Sequence, residues 1–476
     1  MTPEPDSPRP LYLRPWHAFT RGGHEYVVNP VRMIGRRVPD GFIATLERIA
    51  ADPLAPRARE DELELFRLEL VSPQPVTGTA VKKAAQDGAD APPICAINLL
   101  IAQRCNLRCT YCYGAGGEYG DAGMMSEETA LRTVDWLIGQ SGDSEKVAIS
   151  FFGGEPLLAL PLLKKVTAHA RESAAAAGKR VEFAVCTNSV LLDDDAIAWF
   201  DENGFRLLVG FDGPPAVHDR NRPQRDGGPS SPAVLENMRR LTEAVPGRVN
   251  YRATVVRSED LPDVVRYMGE VCPGAYQTAF ASGVVGDGEY GADAGLPSPA
   301  DSIPFAEESV AAFLAALRRG DDEEVRRWTR WMDFGRVMEC LRPQRPARSH
   351  CGVGRVMAAV AADGGIYACH RFVGSPEHKI GDVWNGLGDR RVFVDKPTFK
   401  REPCRSCWAA NWCIGGCLQY NFTRTGDMFQ PPDDNCRWTK AWLELGFHLA
   451  GELTDEDRAK LDELHLVRER ACLYDL

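Results

Sequence analysis

The chain has no apolar run long enough to span a membrane. Its first ten residues are polar and proline-rich, with no apolar signal-peptide core. Basic clusters are missing as well. The arginines are scattered and the formal net charge is −11, which gives no reason to expect nonspecific nucleic-acid binding. No internal repeat is visible beyond a strand–helix alternation. With 476 residues the chain is too large for a secreted disulfide scaffold, and its 15 cysteines are odd in number and unevenly placed. These absences point to a reducing, oxygen-poor cytoplasm, where clustered cysteines serve metals or catalysis, with neither membrane nor nucleic acid as partner. An apolar content of 44% is ordinary for a globular protein, and the length allows two or three domains.

What is present is cysteine in two dense groups. The first is the run Gln103-Arg104-Cys105-Asn106-Leu107-Arg108-Cys109-Thr110-Tyr111-Cys112-Tyr113, spaced C-x3-C-x2-C directly after an apolar stretch that reads as a strand. Three thiolates on so short a loop can hold three corners of a [4Fe-4S] cube, which normally takes four cysteines. The missing ligand leaves one iron open to a chelator bearing an amine and a carboxylate, and S-adenosylmethionine (SAM) is such a molecule. A zinc knuckle or a disulfide loop is the plainer alternative, although zinc loops usually pair C-x2-C units into a set of four.

The order of patterns divides the chain. Residues 1–72 read as a small N-terminal module, in which Leu11-Tyr12-Leu13 and Glu25-Tyr26-Val27-Val28 flank a hairpin signal at Arg21-Gly22-Gly23. A helix is expected over 42–49, while 60–70 fits helix or strand. Residues 73–93 read as a linker. From 94 to 335, strand candidates at 97–101, 147–152, 181–186, 206–211, 248–256 and 276–281 alternate with helices. The first helix is capped by Ser126 and has Leu131, Val134 and Ile138 on one face. Six such units make a parallel sheet with right-handed crossovers, short of the eight of a full barrel. Residues 336–438 are cysteine-dense, and 439–476 look helical.

Candidate functional residues sit where these strands end. Phe151-Phe152-Gly153-Gly154-Glu155-Pro156 follows the second strand, and strand C-termini are where ligands bind in parallel sheets. The glycines allow close backbone approach and Glu155 offers a charged acceptor; alone, the motif would be an ordinary turn. Thr187-Asn188 ends the third strand. Gly210-Phe211-Asp212-Gly213-Pro214 ends the fourth and leads to His218-Asp219 and Arg222-Pro223, where a polar turn with Asp212 solvated or capping is the plain alternative. In the C-terminal third, Cys404, Cys407, Cys413 and Cys417 give C-x2-C-x5-C-x3-C. Gly364 and Cys369 give G-x4-C, with Cys351 upstream and Cys436 downstream. A zinc ribbon could use four of these, but seven suit two iron–sulfur cubes better. Cys95, Cys186, Cys272 and Cys472 read as small buried hydrophobes.

At the three-cysteine loop, Tyr111 included, and at Gly153-Gly154-Glu155-Pro156, the chain resembles the radical SAM superfamily over roughly 94–437. The resemblance implies an α/β fold: an open six-stranded (β/α)6 partial TIM barrel with a small N-terminal α+β module and a cysteine-rich C-terminal SPASM domain. It implies SAM as cofactor and a cluster on Cys105, Cys109 and Cys112. Gly153, Gly154, Glu155 and Pro156 would meet the amino group of SAM, with Tyr111, Asn188 and Asp212 lining the same site. Gly210 stands where serine is common, so a hydroxyl contact is lost there. The seven C-terminal cysteines resemble those of the SPASM domain, which carries two auxiliary clusters and would bring the total to three [4Fe-4S] clusters. Cys404, Cys407, Cys413 and Cys436 would hold the outer one, and Cys351, Cys369 and Cys417 the inner one. Fully ligated members have a further cysteine soon after the first, and none lies between Cys351 and Cys369. Either Cys340 completes that cluster or one iron is open, in which case a substrate thiolate could bind it.

The sulfatase maturases of this group place an aspartate after the G-x4-C cysteine; here the residue is His370. The run Cys369-His370-Arg371-Phe372-Val373-Gly374, followed by Lys379-Ile380-Gly381-Asp382-Val383, resembles thioether-forming peptide maturases. Length and N-terminal module are most similar to the maturases of quinohemoprotein amine dehydrogenase. That resemblance implies post-translational crosslinking of cysteine sulfur to a methylene carbon of Asp or Glu in a cysteine-containing polypeptide. Electrons would come from a low-potential donor such as ferredoxin or flavodoxin. His370 is the catalytic candidate for thiol deprotonation, with a structural role as its alternative. The N-terminal module would add a leader strand to a sheet edge, as in many maturases, or serve for packing or dimerisation. Cα-thioether or carbon–carbon crosslinks in another ribosomal peptide are a second reading. A non-catalytic electron-transfer or zinc scaffold is a reading of another class.

Overall fold

The computed structural model describes residues 10–72, 74, 76, 91–283, 296–341, 351–395 and 401–466. Most of the 73–93 linker, and Cys472, lie outside the described residues. No helix among the described residues is long and apolar enough to cross a membrane.

The N-terminal module is a three-stranded antiparallel sheet, β1 (His17–Arg21), β2 (His24–Asn29) and β3 (Ile34–Val38), with helices α1 (Phe42–Ala51) and α2 (Arg59–Arg67). The hairpin turns at Gly22-Gly23, both at positive φ, so Arg21 pairs with His24 and the partner strand is β1. The sequence reading put Leu11–Leu13 in that place. A two-residue loop joins directly adjacent strands, and Leu13 lies too far upstream. Instead Tyr12–Leu13 pairs with Val71–Ser72 and closes the module on itself. The stretch that fitted either helix or strand is α2, which buries Leu65 with Val27, Phe42, Leu46 and Ile49 in a core separate from the main one.

The main sheet is built as the alternation predicts. β4 (Ala96–Gln103), β5 (Lys146–Gly153), β6 (Arg180–Thr187), β7 (Arg206–Gly210), β8 (Val249–Val255) and β9 (Tyr276–Phe280) each pair in parallel with the next. All eight residues of β4 are buried, as expected of a central parallel strand. The covering helices are α3 (Glu127–Gln140), α4 (Leu160–Ala176), α5 (Asp194–Glu202), α6 (Ser231–Ala244) and α7 (Leu261–Val271). Ser126 caps α3, its Oγ accepting from Thr129 N at 3.0 Å. The buried face of α3 centres on Ala130, Val134 and Leu137, with Leu131 and Ile138 flanking it.

The sheet does not stop at six strands. The cysteine-dense segment adds β10 (Met357–Val360), parallel to β4 on the side away from β5, and then β11 (Gly365–Tyr367) and β12 (Lys379–Asp382), antiparallel. The helical end also begins earlier than 439. α8 (Asp433–Glu452) carries Cys436 on its first turn. It packs against β3, where a Cβ on Gly35 would lie 2.5 Å from the Phe447 ring.

Candidate functional site

A cavity opens at the C-terminal ends of β5 to β9. Its near wall is the loop after β4, with Cys105, Cys109 and Cys112; its far wall is the His370-Arg371 turn. The three thiols are mutual neighbours: Cys109 feels the charge of both Cys105 and Cys112. Burial pushes the Cys105 thiol up to about 12 and raises Cys109 and Cys112 as well. Each sulfur nonetheless has a partner suited to a thiolate. Cys105 Sγ accepts from Leu107 N at 3.4 Å and Asn188 Nδ2 at 3.7 Å. The amides of Gly114, Gly116 and Gly117 act on Cys112, and Arg222 on Cys109.

The glycine motif presses against this loop. A Cβ on Gly154 would stand 2.1 Å from Arg104 O, and one on Gly117 would stand 2.6 Å from Gly154 Cα. Gly153 and Gly154 reach the cavity wall; Glu155 is turned behind it and fully buried. Its carboxylate accepts from Thr187 Oγ1 (2.7 Å), Asn188 N (2.8 Å) and Leu157 N (3.1 Å). Burial lifts that carboxyl to about 7 even against these donors. Pro156 opens the short helix Pro156–Ala159. Asn188 lines the cavity and joins Asn106 Oδ1 at 2.8 Å.

Asp212 is also fully buried, behind the opposite side of the loop. It accepts from Tyr111 OH and Thr254 N, each at 2.8 Å, and pairs with Arg222 Nε at 3.0 Å. Its own N–H donates to His218 Nδ1 at 3.1 Å. Gly210 has a reason of its own: a Cβ there would lie 2.6 Å from Arg222 Nη1, so the guanidinium fills the space of the expected serine.

The C-terminal cysteines fall into two sets. Cys369 feels Cys417 and Cys351, and Cys404 feels Cys413, Cys407 and Cys436. Cys340 is not brought to either set. Its Sγ packs in the contact with α8, 3.8 Å from Leu443 O, and a Cβ on Gly446 would stand 2.6 Å from it. As placed, no three His, Cys, Asp or Glu side chains among the described residues gather closely enough to hold a single metal ion. A cube spaces its thiolates more widely than one ion does.

His370 lies on the far wall, its ring 4.4 Å from Phe152 and 5.9 Å from Tyr113. Asn98 Nδ2 donates to its Nδ1 at 3.1 Å. Burial, with Arg371 and Arg252 nearby, pushes the imidazole down to about 3, so it is neutral. Sequence reasoning missed several wall residues. Cys186, read as a small buried hydrophobe, is only half-buried and faces the cavity, as do Arg252, Thr254 and Arg371. The signal available was strand parity: Cys186 sits opposite Leu208, and Gly210 opposite Arg252, on the inward-facing positions.

Residues 99–270, from within β4 to the end of α7, match the sequence model of the Radical SAM superfamily. The chain is 25% identical over 371 residues to a serine-type anaerobic sulfatase-maturating enzyme of Bacteroides thetaiotaomicron, covering 72% of this chain and 87% of that one. It is 25% identical over 343 residues to the PqqA peptide cyclase of Granulibacter bethesdensis, covering 69% and 83%. The solved structure of native anSMEcpe with bound AdoMet and Cp18Cys peptide aligns with a TM-score of 0.61 at 19% identity, over 79% of this chain and 99% of that one, a likeness of fold. Residues 99–270 thus carry the sequence pattern of the Radical SAM superfamily, and a sulfatase-maturating enzyme and a peptide cyclase are among the proteins to which the chain is similar.

Proposed function

We propose that the protein is a radical SAM maturase that forms intrapeptidyl thioether crosslinks, from cysteine sulfur to a methylene carbon of Asp or Glu, in a cysteine-containing polypeptide. Sequence resemblance favours the small subunit of a quinohemoprotein amine dehydrogenase as that polypeptide. One observation carries the proposal: a single cavity has the three-cysteine loop on one wall and the His370-Arg371 turn, which directly follows Cys369, on the other. A peptide as substrate is supported by the relatives named above and by the Cp18Cys peptide bound to anSMEcpe.

The superfamily match, with AdoMet bound in anSMEcpe, implies SAM and one [4Fe-4S] cluster. The residues present fit both. Cys105, Cys109 and Cys112 have donors or a cation aimed at their sulfurs, and the Gly153-Gly154 backbone borders the same space. When bound, these groups supply the one-electron chemistry that removes a hydrogen atom from an unactivated carbon. Cys351, Cys369 and Cys417 would hold an inner auxiliary cluster with one open corner, and Cys404, Cys407, Cys413 and Cys436 an outer one, to which ferredoxin or flavodoxin would deliver or from which it would take electrons.

The chain's own groups orient and insulate. Asp212 fixes Tyr111 and Arg222 beside the loop. Glu155 ties the glycine motif to the end of β6. His370, held by Asn98, shapes the far wall, and an imidazole pushed down to about 3 is too weak a base to draw a proton from a thiol, so positioning suits it better than general-base work. Incubation of the anaerobically reconstituted, reduced protein with SAM is expected to release 5′-deoxyadenosine; none would leave a non-catalytic scaffold. A Cα-thioether or carbon–carbon crosslink in another ribosomal peptide is the second reading, in keeping with the similarity to a peptide cyclase, and thiol alkylation separates the carbon–carbon product from a thioether.

A further inference from the structure

Helix α8 lays one face along the outer set of cysteines. Residues four apart on a helix are neighbours on its surface, so Cys436, Lys440 and Glu444 form one row. Both ends of that row are tied to the cysteine loop around residue 404. Cys436 belongs with Cys404, Cys407 and Cys413. Glu444 Oε1 lies 2.9 Å from His17 Nε2, and the His17 ring stacks at 4.0 Å on Trp408, the residue after Cys407. Lys440 stands between these two ties and is half-buried. Burial raises the thiols of Cys407 and Cys436, and the Lys440 ammonium works against it at each.

The other charges around the set are placed differently. Arg401 approaches Cys404 and Cys413 and has Asp427 near it. Asp433 acts on Cys436 from the exposed start of α8. Glu444 is engaged by His17. Lys440 is the cation that α8 holds against the set. A dicationic [4Fe-4S] cube on four thiolates carries two negative charges, and one-electron reduction makes them three. A cube on three thiolates carries one fewer in each state. The four-thiolate site therefore gains most from a cation held close, and more when reduced than when oxidised.

We propose that Lys440 is the positioning residue that supplies the counter-charge of the outer four-cysteine site, holding its cluster and favouring the cluster's reduced state. The inference rests on the reading of Cys404, Cys407, Cys413 and Cys436 as an auxiliary-cluster site, and adds to it the residue that sets the site's potential. The couple takes one electron, and the ammonium keeps its proton.

The test is a potentiometric titration of the full-length, anaerobically reconstituted protein, followed by EPR. The outer cluster's signal is the one that disappears when Cys407 and Cys413 are both replaced by alanine. In Lys440→Gln its reduction equilibrium is expected to move about tenfold toward the oxidised form, a fall of about 59 mV for one electron. Lys440→Arg keeps the charge and should stay within about twofold of wild type. An unmoved outer potential in Lys440→Gln overturns the proposal and leaves the cluster reading standing. An equal shift in both variants marks a structural effect and also overturns it. Should Lys440→Gln shed about four irons, iron content decides. Irons kept in Lys440→Arg support the counter-charge; irons lost there too show that Lys440 only packs, and the proposal falls. If replacing Cys407 and Cys413 removes no iron, the outer cluster does not exist and both readings fall.

Discussion

Two residues show how much of this site is steric and how much is electrostatic. Gly154 is required by contact: any side chain would run into Arg104 O, and Gly117 approaches from the cluster loop. Gly154→Ala must therefore push the end of β5 away from the loop that carries Cys105. The expected cost is about 2–3 kcal/mol by chemical unfolding, since neither backbone can rotate aside. Loss of roughly four irons per chain should accompany it, because one cubane site is deformed. Wild-type iron content in a folded variant would show that the crossing does not shape the loop. His218 is an electrostatic case. Burial holds its imidazole at about 4, below the ordinary 6.5, while Asp212 N donates to Nδ1 and Nε2 lies 3.0 Å from Ser230 Oγ. The folded protein thus binds fewer protons at this site than the unfolded chain between those two values. Its contribution to stability is complete above pH 6.5 and is lost as the pH falls through 4, to the extent of about 3 kcal/mol. His218→Asn should flatten that part of the stability–pH curve. An unchanged slope from pH 6.5 to 4 would mean that His218 is protonated in the fold.

At the scale of elements, the sequence was legible wherever a local pattern decides the outcome. All six strands β4–β9 and their covering helices follow from apolar runs and caps, because a central parallel strand buries both faces and Ser126 satisfies the start of α3. What stayed hidden depends on distant partners. β10 is a short Ala-rich strand that becomes part of the sheet only by pairing with β4, more than 250 residues earlier in the chain. Cys340, one of the two ways left open to complete the inner cluster, packs against α8 with its Sγ 3.8 Å from Leu443 O. The cysteine loops around residue 404 also proved to be the seat of the N-terminal module. His17 stacks on Trp408 with ring centres 4.0 Å apart, and Asn411 Nδ2 donates to Pro30 O at 2.7 Å. This packing gives the module a structural role alongside the substrate docking that its hairpin suggests. Replacing Cys407 and Cys413 by alanine should remove roughly four irons and loosen the module with them. Hydrogen exchange is expected to rise across β1–β3 and stay unchanged in β4–β9. If β1–β3 remain protected, the module is held by α8 alone.

For the whole molecule, the decisive fact is that the two walls of the cavity hang from neighbouring strands of one sheet. β4 runs directly into the loop of Cys105, Cys109 and Cys112. Its neighbour β10 leads through β11 to Cys369, His370 and Arg371. A rigid sheet therefore sets the distance between the place where a carbon would lose hydrogen and the place where a sulfur would be held, which is the geometry that thioether formation needs. From this follows the prediction most specific to the proposed function. With its polypeptide substrate, the reduced protein should join a cysteine sulfur to a side-chain carbon. Each crosslink replaces one C–H and one S–H by a C–S bond, so the substrate should lose about 2 Da per crosslink, and no oxygen should be gained. Mass alone does not distinguish this from a carbon–carbon bond, which removes the same two hydrogens. Iodoacetamide does: a cysteine in a thioether no longer reacts, whereas a cysteine beside a carbon–carbon crosslink still does. Fragmentation should place the missing hydrogens on one alkylation-resistant cysteine and one Asp or Glu. A product that loses the same mass with every cysteine still alkylated would move the chemistry to carbon–carbon coupling, with the far wall serving to orient the chain instead of to hold sulfur.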